Sequence, residues 1–102
     1  MSLGTTVWAD DNRFTAADVL GWEPSQKDWY FEVATGMATV VASRSRSPAA
    51  RCINDWYFAN DSLRAARNNE MRALLRRYRD YHPSNVIAAV IEKECGPIGA
   101  TQ

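Results

Sequence analysis

"WYFEVATGMATVVAS" (residues 29–43) is the stretch on which the fold turns. Read as a helix, at about 100° per residue, it sets Trp29, Tyr30, Phe31, Val33, Ala34, Met37, Ala38, Val40 and Val41 on one wide apolar face. Glu32, Thr35, Gly36, Thr39 and Ser43 fill the opposite face. Read as a β-hairpin, "WYFEVA" and "MATVVAS" are strands joined by "TG", which the β-branched and aromatic residues support. The separation of the two faces favours helix. The fold class expected is therefore all-α, a compact bundle of four to five helices with an irregular N-terminal arm. The alternative is α+β with one β-hairpin at 29–43.

Helix signals continue on both sides. Upstream, Thr15 and Asp18 have capping-box spacing, Phe14 and Val19 form its hydrophobic staple, and Gly21 marks the end of a short helix. Ser25 and Asp28 repeat the spacing and predict a second start near Gln26. Downstream, Ser47 and Pro48 open a third helix, whose Ala49, Cys52, Ile53, Trp56 and Tyr57 follow the spacing of a buried face. "NDS" (60–62) caps a long fourth helix, Leu63 to about Tyr81, with Leu63, Met71, Leu74, Leu75, Tyr78 and Tyr81 as its apolar side. Ser84 caps a last helix that Gly96 and Pro97 close. The 102 residues accommodate one domain, with residues 1–12 and 98–102 expected as loose tails.

"DWYF" occurs twice, at Asp28–Phe31 and Asp55–Phe58, but the flanking residues share no pattern, so the repeat reads as two separate aromatic core clusters. Phe58 alone falls off the core stripe, which marks it as a contact residue.

Net charge is zero but unevenly spread. Residues 1–32 carry six acids and two bases, whereas residues 33–81 carry nine arginines and four acids. Within the fourth helix Arg72, Arg76 and Arg79 share a face, with Arg64, Asn68 and Asn69 beside it. Arginine forks bind carboxylates and phosphates in bidentate fashion, so the face suits an acidic protein partner or a nucleic-acid backbone. The bland reading is a solvated face or pairing with the acidic first third. Trp8 and Trp22 lie in that acidic front, as straps over the bundle or, where exposed, as partner anchors. "FTAADVLGWEPSQKDW" (14–29) has the order of a helix-turn-helix opening, but Asp28 and Glu32 at the start of its second helix would repel phosphate, and that reading is set aside.

Signals for catalysis are thin. His82 is the only histidine, which excludes a multi-histidine metal centre, and no phosphate-cradling glycine loop occurs. No metal and no cofactor is expected. Cys52 and Cys95 are expected as two reduced packing thiols, with a disulfide between them as the alternative. A Cys–His pair with His82 is disfavoured, because Cys95 sits at a helix C-terminus and Cys52 faces the core. "MSLGTTVW" has neither a basic start nor an apolar signal core, and no apolar run would span a membrane. These features lead to a cytoplasmic, non-enzymatic binding protein: an accessory subunit, adaptor or inhibitor acting through protein–protein contacts. The alternative is a nucleic-acid-binding protein using the Arg-rich helix 63–81. The contact residues expected are Arg64, Asn68, Arg72, Arg76, Arg79, Phe58, Trp8 and Trp22, and a homo-oligomer is compatible with the same surfaces.

Overall fold

The deciding stretch is helical throughout, inside a single helix of 21 residues. The computed structural model describes residues 13–99, and among them there is no strand, so the hairpin alternative falls. Among the described residues five α-helices form an all-α bundle: α1 (Ala16–Leu20), α2 (Pro24–Arg44), α3 (Ala49–Ile53), α4 (Asp61–Arg77) and α5 (Pro83–Cys95). α3 runs on into a π-helical turn, Asn54–Phe58, which holds the second "DWYF".

Most of the caps lie where the sequence sets them. The Thr15 N–H donates to Asp18 Oδ2 at 2.9 Å, and Ser47 Oγ accepts from the Ala49 N–H at 3.1 Å. Asn60 Oδ1 accepts from the Leu63 N–H at 2.8 Å. Gly96 ends α5 with φ 87°, a left-handed value that glycine reaches without a Cβ penalty. Two caps differ. α2 begins at Pro24, not Gln26, with Glu23 as N-cap and its N–H donating to Gln26 Oε1 at 3.3 Å. Proline at the first helical position has no N–H to satisfy, so it displaces the Ser25/Asp28 start and releases Asp28 for an ion pair. At α5, His82 Nδ1 accepts from the Ser84 N–H at 3.1 Å, so His82 caps the helix ahead of Pro83.

α4 stops at Arg77, four residues short of the expected Tyr81, for a reason in the N-terminal arm. Tyr78 leaves the helical region at φ −117°, ψ 51°. The carbonyls of the turn beyond it then receive α1: Ala16 N–H donates to Tyr81 O at 2.8 Å and Ala17 N–H to Arg79 O at 3.0 Å. The unpaired N–H groups of one helix start are thus satisfied by the carbonyls past another helix end. Tyr78 and Tyr81, expected in the core, are exposed as a consequence.

The core differs most from expectation along α2. Its buried residues are Phe31, Thr35, Ala38 and Ala42, while Trp29, Val33, Met37, Val40 and Val41 stay exposed. Apolar residues occur on most sides of this helix, so periodicity alone does not choose the buried one. Close approach does: the short side chains of Ala38 and Ala42 are buried in one core with Ala49 and Ile53 of α3. The Thr35 hydroxyl is buried without a hydrogen-bond partner among the described residues, the cost of using a small polar residue at that crossing.

Cys52 and Cys95 are joined in a disulfide, with Cα atoms 5.5 Å apart, correcting the expectation of free thiols. The packing of α3 against the last turn of α5 brings them together from 43 residues apart, a proximity that spacing in the chain does not encode. The segment after α5 is also held: Ser47 Oγ donates to Pro97 O at 2.6 Å, and Ile98 packs on the core. Ile98, expected in a loose tail, is thus packed, and residues 100–102 lie outside the described residues. Residues 1–12 lie outside the described residues.

Tyr57 is fully buried in the centre, its hydroxyl donating to Asn68 Oδ1 at 2.6 Å. Burial pushes the phenol well above its usual value, with Glu32 adding to the shift. A folded-state value above the unfolded one means stability is full below about pH 10 and falls as pH rises past it, because the unfolded chain releases the proton first. Tyr57→Phe leaves Asn68 unpaired, so it should cost about 1–3 kcal/mol. It should also flatten the alkaline arm of the stability profile measured by urea unfolding.

Candidate functional site

The arginines that the sequence grouped on one face do not act together. Arg72 pairs with Asp28 of α2 at 2.7 Å and also holds Asn69. Arg64 reaches Glu32 of α2 at 3.5 Å and pairs with Asp61. Arg67, which the sequence reading passed over, lies over the Trp56 ring at 5.1 Å and donates to Trp56 O at 3.0 Å. The basic middle therefore clamps α4 to the acidic front, through partly exposed pairs each worth about 0–1 kcal/mol. Arg79 falls beyond the end of α4 and leaves the helical face. Arg76 remains exposed, with no ion pair among the described residues.

Three further expectations change. Asn68 is not a surface contact: it is buried and accepts from Tyr57. Phe58 is half-buried, edge-on to Tyr57 at 4.6 Å and against Gly36, so packing explains its place. His82 caps α5 and meets the Phe14 ring edge-on at 5.4 Å, and both cysteines are bonded to each other, which leaves no thiol for a Cys–His pair. Among the described residues no group of three or more His, Cys, Asp or Glu side chains converges. Trp8 lies outside the described residues.

The surface that stands out is one the sequence reading assigned to the core. Along α2, the side chains of Trp29, Val33, Met37, Val40 and Val41 form an exposed apolar stripe over about 18 Å of helix. Trp29 is 61 % exposed and Met37 60 %. Trp29, Val33, Met37 and Val41 of the stripe also line a groove of about 610 Å³ between α2 and α5. Ala34, Ala38, Ile87 and Ile91 are among its lining residues, with Phe14, Trp22 and Ile98 further along it. Trp22, singled out from the sequence, thus belongs to the groove, stacked on Phe14 at 5.9 Å and edge-on to Tyr30 at 5.7 Å. The Tyr30 hydroxyl lies 2.8 Å from Ser84 Oγ, tying the two helices together beside the groove.

No match is found. Protein-family models, the curated proteins and the solved structures all give nothing that resembles the chain. What the surface can do is therefore read from its chemistry alone. It is apolar and helix-length, with few polar groups to orient a small substrate. A second concavity of about 490 Å³ between the end of α4 and α5 is lined by Tyr78, Tyr81 and Lys93 among others. The five exposed side chains of α2 leave on the order of 500 Å² of apolar surface in water, the size at which a patch on a small protein tends to mark a binding surface.

One signal in the sequence could have revealed this face. Tyr30, Val33, Met37 and Val40 recur at alternating steps of three and four residues, the register of a coiled-coil seam. Phe31, Thr35, Ala38 and Ala42 form a separate stripe on the other side of the same helix. α2 thus has two apolar faces, a small-residue one for its own core and a large-residue one outside.

Proposed function

We propose that the protein is a small non-enzymatic binding protein, acting through protein–protein contacts as an adaptor, accessory subunit or inhibitor. Its contact surface is the α2 stripe with the α2/α5 groove, and its ligand is an amphipathic helix of a partner. The observation that carries this reading is the row of large apolar side chains, Trp29, Val33, Met37, Val40 and Val41, left in water on α2. Such a row meets a second helix by knobs-into-holes packing, and a groove lined by alanines gives that helix room to approach.

The Arg face plays a lesser part. Arg64 and Arg72 are already engaged with Glu32 and Asp28, which lowers the number of forks open to an acidic partner or a phosphate backbone. Arg76 and Arg79, at the rim of α4, would steer an acidic partner rather than anchor it. No observation favours nucleic acid over a helix, and no helix among the described residues is long and apolar enough to cross a membrane. The cytoplasmic expectation rested on the absence of a signal-like start, and the reduced thiols were its consequence. A paired Cys52–Cys95 favours an oxidising compartment instead.

Calorimetric titration with a designed amphipathic helix carrying a leucine seam tests the reading. Saturable binding with a negative heat-capacity change is expected, and Met37→Asp should abolish it while leaving the fold intact. An absence of binding by the parent protein, or equal binding by the Met37→Asp variant, would refute the assignment of this surface.

A further inference from the structure

We infer that the helix accepted by this surface is α2 of a second copy of the chain, packed antiparallel across a two-fold axis near Met37. The inference rests on the helix-binding reading above and names its partner. Three features of α2 point to itself. First, α2 has matching residues about Met37: Tyr30 and Arg44 lie seven residues before and after it, Val33 and Val41 lie four before and after, and Val40 falls opposite Ala34. An antiparallel pair centred there sets valine against valine, with Met37 of each copy in the middle.

Second, the two ends of the stripe complement each other. Arg44 continues the heptad register four residues after Val40, while Trp29 and Tyr30 occupy the opposite end. Antiparallel pairing places each Arg44 guanidinium against the aromatic end of the other copy, where a cation–π contact forms. A parallel pair would set Arg44 against Arg44. Arg46 adds a second positive charge at the Arg44 end, while Asp28 and Glu32 at the start of α2 are held by Arg72 and Arg64 of the same copy. Helix dipoles also favour the antiparallel arrangement.

Third, the area suffices. Two copies of the stripe together bury roughly 1,000 Å² from the five apolar side chains alone, the lower bound for a specific interface, before the groove walls are counted.

Sedimentation equilibrium of the full chain, from low micromolar to near-millimolar concentration, tests the inference. A monomer–dimer equilibrium is expected. Met37→Asp should weaken it at least about tenfold, and Arg44→Glu should weaken it measurably with an unchanged circular dichroism spectrum. A chain that stays monomeric yet binds the designed helix overturns the second copy while the helix-binding reading stands. A monomer that binds no helix removes both. A dimer that survives Met37→Asp places the interface elsewhere and overturns the inference.

Discussion

Opening the Cys52–Cys95 disulfide is expected to remove about 3–4 kcal/mol of stability. The bond closes a loop across 43 residues, and tethering a loop of that length restricts the unfolded chain by about 4 kcal/mol in the chain-entropy account. At about 4–8 °C per kcal/mol for a domain of this size, the melting point should fall by roughly 15–25 °C. The measurement is thermal unfolding of the oxidised protein, the reduced protein and the Cys52→Ser/Cys95→Ser variant. The two altered forms should melt together, well below the first. A reduced protein that melts within a few degrees of the oxidised one would mean that the bond adds nothing to the fold.

The second large effect separates the two faces of α2. Phe31 is fully buried, so Phe31→Ala should cost about 3–5 kcal/mol through lost transfer energy and the cavity left behind. Met37, two turns along the same helix, is exposed, and Met37→Ala measured at high dilution should change stability by no more than about 0.5 kcal/mol. Urea unfolding of the two variants distinguishes the observed orientation from the one that residue size suggests. Were α2 rolled to bury its large side chains, Met37→Ala would be the costly change.

How far the fold is legible in the residues depends on the range of the interaction involved. Caps are local: Thr15 with Asp18, Asn60 with the Leu63 N–H, and Gly96 at the end of α5 need only a few neighbouring residues, and they place most helix starts and stops. The early end of α4 is not local, since it depends on α1 docking its N–H groups onto residues 79–81. Helical periodicity at 29–43 is weak, because apolar residues occur on most sides of the helix. It does not choose between two apolar faces, because it weighs side chains by hydrophobicity, whereas close packing selects them by size. Ala38 and Ala42 let their neighbours approach; Trp29 and Met37 would hold them off.

The candidate site was hidden by the same confusion. The residues that make the α2 stripe were all visible in the chain, but a large apolar side chain reads as core until the packing is known. Trp22 was recognised and does line the groove. Asn68 and Phe58 read as surface because their partners, Tyr57 and Gly36, lie across helix contacts. Arg64 and Arg72 read as a free face because Glu32 and Asp28 meet them only after α2 and α4 pack. Cys52 and Cys95 illustrate the point most sharply, since nothing in their separation distinguishes two thiols from one bond.

The central claim, that the large-residue face of α2 is a surface for another helix, has a natural pair of reporters in Met37 and the buried Met71. The decisive measurement is the methyl NMR signal of both methionines in the presence of a soluble paramagnetic agent, over a range of protein concentration and with the designed helix added. At high dilution Met37 should be broadened and Met71 protected, and Met37 should become protected as the protein is concentrated or the helix is bound. A Met37 signal protected at every dilution, or broadened under every condition, would contradict the account.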